Sequence, residues 1–148
     1  MKIAVLVSGG VDSSVSLRLL KEQGHDLTAF YLKIWLEDEL DYLGECPWKE
    51  DLEFVERICE DLDVPFRVLP LQQDYHERVI GHALKDVERG RTPNPDILCN
   101  SRIKFGCFYE RIGDEFDRIA TGHYANTREE GPITRLTTTP DPIKDQTF

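Results

Sequence analysis

The apolar run Ile3-Ala4-Val5-Leu6-Val7 passes directly into Ser8-Gly9-Gly10-Val11-Asp12-Ser13, and this junction restricts the possible folds more than any other part of the chain. A short apolar run closed by turn residues reads as a buried strand. Beyond it Val11, Val15 and Leu19 recur every fourth position with Leu20 beside them. That spacing predicts a helix packed on this stripe, ending near Gln23 and stopped by Gly24. The glycines permit a tight turn and a close backbone approach, while Ser8 and Ser13 add hydroxyls. Amides opening into a helix N-terminus favour a phosphate or pyrophosphate. Asp12 has two readings, a helix cap or a group helping to hold magnesium on such phosphates. The turn has neither the Gly-Lys-Ser/Thr of a Walker loop nor the Gly-x-Gly-x-x-Gly spacing of a dinucleotide fingerprint.

The same alternation continues downstream. Leu27 to Trp35 is almost continuously apolar, as in a parallel strand covered on both faces. The stretch from Glu37 to Trp48 reads as an acidic, exposed excursion. Leu52, Val55, Ile58, Cys59 and Leu62 share one helical stripe, and Pro65 to Leu69 follows as a short strand. A helix over about 74–88 is expected to turn Val79, Ile80, Ala83, Leu84 and Val87 inward, and a helix over about 101–116 to carry Ile103, Cys107 and Ile112. Residues 117–124 form a last strand, ending at Gly122-His123. The expected fold is α/β, a doubly wound parallel sheet, whose ligands bind outside the carboxyl ends of the strands. One domain over 1–126 is expected, with 127–148 as the start of a linker or following domain, where the pattern dissolves and the sequence reads as interrupted.

With 18 basic against 28 acidic side chains, a net charge of −10, the chain has no broad basic surface for a nucleic-acid backbone, so any such contact must be local. No run approaches the about 18 apolar residues of a membrane span, and the stretch Met1 to Val7 is too short for a signal peptide's apolar region and reads as a first strand. Cys46, Cys59, Cys99 and Cys107 lack paired C-x-x-C spacing, so no metal site is assigned and reduced thiols are expected. His76 and His82, six apart, do not share a helical face as a metal pair would, and His25 is assigned no role. Trp35 and Trp48 are read as packing residues rather than base-stacking platforms.

A second informative stretch is Arg91-Thr92-Pro93-Asn94-Pro95-Asp96-Ile97-Leu98-Cys99-Asn100. Its prolines stiffen a loop that delivers Cys99 to the start of a helix, with Arg102 and Lys104 close by in sequence. Such surroundings favour thiolate and make Cys99 a candidate nucleophile. Asp96 is placed to move a proton or accept a hydrogen bond. The competing reading is a buried cysteine beside a structural turn. Cys59 and Cys107, on apolar stripes, are read as core.

Ser8-Gly9-Gly10-Val11-Asp12-Ser13 resembles the pyrophosphate-binding loop of the ATP pyrophosphatase superfamily, whose adenine nucleotide α-hydrolase-like fold cleaves ATP between the α and β phosphates. Thr92 to Asn100 with Ile103-Lys104-Phe105-Gly106, then Ala120-Thr121-Gly122-His123-Tyr124-Ala125 and Lys144-Asp145-Gln146, resemble the signature segments of the tRNA-specific 2-thiouridylases. That resemblance implies a transferase that adenylates and thiolates the wobble uridine of tRNA. It implies ATP contacts, with magnesium, from Leu6, Val7, Ser8, Gly9, Gly10, Val11, Asp12, Ser13, Leu32 and Gly122. Asn94, Pro95 and Asp96 would meet the target uridine, and His123, Lys144, Asp145 and Gln146 would touch tRNA.

Cys99 and Asp96 would be catalytic, Cys99 as one of two cysteines that pass on persulfide sulfur from a donor or relay protein and close a disulfide. The second cysteine of the family pattern has no counterpart among these residues. A bacterial-type cytoplasm or an organelle matrix, and no membrane, is implied. Two other readings stay open: a related ATP pyrophosphatase acting on a small molecule, as argininosuccinate synthetase does, and an ATP-binding module without catalysis.

Overall fold

A computed structural model describes residues 1–34, 47–141 and 143, with residues 47 and 48 described by backbone alone. The readings placed on Trp35, the excursion 37–46, Cys46, the Trp48 side chain and Lys144-Asp145-Gln146 fall outside the described residues.

Strands β1 (Lys2–Leu6), β2 (Asp26–Lys33), β3 (Phe66–Pro70) and β4 (Arg118–Ala120) form one sheet in the order β3-β2-β1-β4, and every pairing in it is parallel. Side chains alternate across a strand, and the core divides accordingly. Ile3 and Val5 of β1 and the Val7 that follows it, with Leu27, Ala29 and Tyr31 of β2, bury one face beneath α1 (Val11–Glu22) and α2 (Pro47–Asp61), through Leu17, Val55 and Cys59. Ala4, Leu6 and Phe30 line the opposite face against Phe108 and Ile112. There the Phe30 ring meets Phe108 edge-on at 5.1 Å and Phe116 at 5.5 Å, the geometry aromatic quadrupoles favour. The expected doubly wound parallel α/β fold is the one observed.

The helices of that second face are continuous but change pitch. One runs as α3 (Gln72–Tyr75), a π-helical segment His76–Ile80 and α4 (Gly81–Glu88). Another runs as α5 (Pro95–Leu98), a π-helical segment Cys99–Cys107 and α6 (Phe108–Ile112). Leu71, Val79, Ile103 and Cys107 form a third buried cluster where the two meet.

Four expectations are corrected. First, α1 does not pack on Val11, Val15 and Leu19, which are 75%, 49% and 51% exposed; Ser13 and Leu17 are buried instead, with Leu20 packed beside them. The rotation follows from Ser13, whose hydroxyl donates to the Gly10 carbonyl at 3.0 Å and accepts from the Ser8 N–H at 3.3 Å, so it must face the turn. Second, Leu84 and Val87 are exposed, because the π-helical turn at His76–Ile80 rotates α4 relative to a continuous 3.6-residue pattern.

Third, the helix that carries Cys99 begins at Pro95 rather than near Ser101. Asn94 takes the extended conformation that a following proline demands, and its side-chain oxygen accepts from the N–H groups of Asp96 (3.2 Å) and Ile97 (3.3 Å). Pro95 then occupies the first helical position, where no N–H is needed. Fourth, the pattern does not dissolve after Asn126: β5 (Asn126–Glu130) and β6 (Ile133–Thr137) pair antiparallel around Gly131, at φ +63°. Only a small part of this hairpin is covered, so it lacks the apolar alternation that marks a half-buried strand.

Candidate active site

The strand order itself locates the site. From β1 the chain winds to β2 and β3 on one side, then returns to place β4 on the other, and a crevice opens at the carboxyl ends where the direction reverses. Val5 pairs with Ala29 on one flank and Ala120 on the other, so the segments that follow β1 and β4, Ser8–Gly10 and Thr121–His123, emerge side by side.

A cavity of about 440 Å³ opens there, within the range of small-molecule sites. Its floor is Leu6, Val7, Tyr31, Leu32 and Ile34, and the glycine turn contributes Ser8, Gly10, Val11, Asp12 and Ser13. Cys99, Ile103 and Lys104 form one wall, Thr121, Gly122 and His123 another, and Asp51 of α2 borders the turn. The segments singled out in sequence as nucleotide-binding and sulfur-bearing thus share one enclosure.

The turn is built for close approach. Gly9 has φ +82°, and a Cβ there would lie 3.0 Å from the Asp51 Cβ. Gly10, which has no side chain to offer, occupies the N-cap of α1, so the helix dipole and first-turn N–H groups make this end of α1 suited to an anion. Ser14 also donates its hydroxyl to the Gly10 carbonyl at 2.9 Å, which fixes the turn from the helix side.

Among the described residues no cluster of three His, Cys, Asp or Glu could hold a metal by itself. Magnesium keeps several waters and takes one or two carboxylates together with substrate phosphates. The carboxylates of Asp12 and Asp51 on the cavity wall fit that mode.

Cys99 is half-buried, one turn inside the helix that Asn94 caps, so the dipole acts on it less than at a first-turn position. Burial holds its thiol above the ordinary value; Lys104 opposes that rise in part, and Asp96 adds a smaller upward push. His123 is held below its ordinary value by burial and then by Lys104, which leaves the imidazole neutral at pH 7. Its Nδ1 lies 2.6 Å from the Thr121 hydroxyl, which fixes the ring. Asn94, Pro95 and Asp96 are exposed and do not line the cavity; they lie on the turn that leads to Cys99.

Tyr31, Ile34, Asp51 and Thr121 line the cavity but were assigned no role from sequence, while Lys104 was read only as a charge near Cys99 and Ile103 only as an inward-facing helix residue. Lys104 and Thr121 stood inside recognised segments. Asp51 and Tyr31 reach the site through tertiary packing alone, and no local pattern announces them. A second, more open cavity of about 530 Å³ adjoins the first across Gly122 and His123, between the exposed Val11 and Val15 of α1 and Tyr124, Asn126, Thr139 and Pro140.

The chain is 50% identical over 147 residues to the tRNA-specific 2-thiouridylase MnmA of Parabacteroides distasonis, covering 99% of this chain and 41% of that protein. It is 51% identical to the protein of the same name from Porphyromonas gingivalis, covering 99% of this chain and 40% of that one. It therefore spans about two fifths of the length of the curated relatives it matches.

The fold also matches a predicted tRNA methyltransferase subunit of Methanocaldococcus jannaschii (TM-score 0.54, 22% identity, 93% of this chain and 58% of that one). A further match is the U34-tRNA thiolase NcsA of Methanococcus maripaludis (TM-score 0.56, 20% identity, 83% of this chain and 38% of that one). The family model described as the tRNA methyl transferase HUP domain matches residues 1–148, and the chain belongs to that family.

Proposed function

We propose that this chain is the adenylating domain of a tRNA-uridine 2-sulfurtransferase. The observation that carries the reading is the shared cavity, in which a phosphate-binding turn, the Gly122 turn and the half-buried Cys99 face one space. The family label speaks of methyl transfer, whereas the relatives at about half identity are named 2-thiouridylases. A cysteine on the wall of a nucleotide cavity suits sulfur transfer.

ATP, with magnesium on its phosphates, would lie with its polyphosphate on the amides of Ser8–Ser13 and its adenosine toward Leu32. Leu6, Val7 and Gly122 would complete the contact. The 2-oxygen of the target uridine attacks the α-phosphorus, and pyrophosphate leaves from the turn that held it. The terminal sulfur of a protein persulfide then attacks C2, and AMP departs with the uridine oxygen. A second cysteine thiolate breaks the persulfide S–S bond, releasing 2-thiouridine and closing a disulfide with the first. Cys99 serves as one of this pair, and its partner lies outside these residues.

Asp96 handles a proton at the mouth of the site, and Asn94 and Pro95 border the uridine. His123, with Lys144, Asp145 and Gln146, contacts tRNA. A persulfide-bearing protein supplies the sulfur, in a cytoplasmic setting. The net charge of −10 confines tRNA contacts to such local points.

The test supplies the chain, alone and joined to the further sequence found in its relatives, with ATP, magnesium, a persulfide donor and unmodified tRNA. AMP, pyrophosphate and 2-thiouridine, followed by nucleoside mass spectrometry, are the expected products of the joined form. Cleavage of ATP to ADP and phosphate, or unmodified uridine beside accumulated AMP, contradicts the proposal. A Cys99→Ser form that still thiolates would remove Cys99 from the catalytic pair, and a joined form that cleaves ATP to AMP and pyrophosphate with a small molecule but never thiolates tRNA would return the chain to the small-molecule pyrophosphatases.

A further inference from the structure

Of the two cations near Cys99 in sequence, Arg102 and Lys104, only Lys104 lines the cavity. Among the described residues lining it, Lys104 is the single Lys or Arg, set against Asp12, Asp51 and Cys99. A polyphosphate site of this kind would draw a cation from the turn itself in a Walker loop. This turn contains none.

The pitch of the helix explains how Lys104 reaches the wall. It lies five positions after Cys99, and at 3.6 residues per turn it would sit about 140° around the helix from it. Residues 99–107 are instead π-helical, and a turn closed by i→i+5 hydrogen bonds returns residue i+5 close to the starting face. Cys99, Ile103 and Lys104 therefore line the same wall. Gly106 serves this pitch: a Cβ there would lie 3.1 Å from the Ser101 carbonyl oxygen, the position one π-turn earlier.

We infer that Lys104 is the electrostatic partner of the Cys99 sulfur, held on its face by the π-helical turn so that its charge offsets part of the cost of ionising that half-buried sulfur. The inference rests on the sulfur-transfer reading and adds to it a named residue and the local structure that positions it. The step involved is simple ionisation: the S–H bond breaks, the electron pair stays on sulfur, and the proton passes to solvent. The other titratable groups facing the sulfur are Asp96 on the preceding turn, Tyr75 of α3, His123 beyond β4, and Asp12 and Asp51 across the cavity. Asp96 opposes the ionisation, and the neutral His123 adds no charge. Lys104 is the group that favours it.

The experiment follows iodoacetamide alkylation of the unliganded chain against pH, with Cys99 resolved from the other cysteines by peptide mass spectrometry, in wild type, Lys104→Met and Lys104→Arg. Lys104→Met should move the Cys99 midpoint upward and slow its labelling at neutral pH by about tenfold, the effect of one pKa unit on the thiolate fraction. Lys104→Arg should restore most of the rate. Labelling of buried Cys59 and Cys107 in the same digest reports unfolding, and if Lys104→Met exposes them, Lys104→Gln is scored instead.

A second readout is the His123 imidazole by NMR, which should titrate at higher pH once the Lys104 charge is removed. An unchanged Cys99 midpoint in the folded neutral variant overturns the inference. Because neither readout uses ATP or tRNA, this failure would be separate from failure of the thiolation reading, which is scored on nucleoside products.

Discussion

Gly122 lies so close to the first turn of α1 that a Cβ on it would sit 2.5 Å from the Ser13 amide nitrogen and 2.7 Å from the Ser13 Cα. Both obstacles are backbone, so no side-chain rotation relieves them. The contact binds the turn after β4 to the turn after β1 and gives the crevice its width. Gly122→Ala should therefore push the two turns apart, costing about 1–3 kcal/mol of stability. Thermal denaturation reads that loss, and the shift produced by ATP should shrink or vanish.

Ser13 acts as a fastener within the same turn. Ser13→Ala removes its donation to Gly10 and its acceptance from Ser8, at a site only 6% exposed. A loss of about 1–3 kcal/mol is expected, as for a buried group left unsatisfied. Nucleotide affinity should fall more steeply than the thermal midpoint implies, because the amides that meet the phosphates lose their fixed geometry. Calorimetric titration with ATP checks this.

Asn94 separates a structural from a recognition role. Its side chain caps the Cys99 helix, so Asn94→Ala should cost about 0.5–2 kcal/mol, whereas Asn94→Asp should retain the cap and the thermal midpoint. If Asn94 also meets uridine, Asn94→Asp should lower thiolation in the joined form while leaving stability alone.

The buried thiols give the molecule an alkaline limit. Burial, followed by Glu56, pushes the Cys59 thiol from 9.0 up to about 11. The folded chain then holds a proton that the unfolded chain loses, so this stabilisation is complete below about pH 9 and disappears as pH rises through about 11. The thermal midpoint should fall across that window, and Cys59→Ala should flatten the slope. At neutral pH Cys59 should resist alkylation.

The features most legible in the sequence were those whose cause is local. The run Ile3–Val7 followed by Ser8–Ser13 specifies its own strand, turn and helix, and the alternation after it specifies a parallel sheet. Cys107 and Ile112 turned inward as their spacing required. Errors arose where a tertiary demand outranked the pattern. Val11, Val15 and Leu19 have good helical spacing, but the Ser13 hydroxyl has to face the turn and rotates the helix away from them. Asn94-Pro95 is a helix start, and two prolines in one stretch disguised it as a loop.

The wall that carries Lys104 depends on a change from α to π pitch. Nothing in the spacing of residues 99–107 shows that change, and so Lys104 was noticed as a nearby charge without a place in the site. Asp51 is further removed still, being brought to Gly9 by the packing of α2 on the sheet.

The most direct measurement is a crystal structure of this chain with magnesium and α,β-methylene-ATP, which cannot be cleaved at the bond in question. The polyphosphate should rest on the backbone amides of Ser8 to Ser13, with the α-phosphorus in the space between Gly122 and Cys99 and the adenine toward Leu32. A nucleotide seated elsewhere, in the open cavity beside Val15 and Thr139 for example, or one whose α-phosphate points away from Cys99, would contradict the assignment of this crevice as an adenylating and sulfur-transferring site.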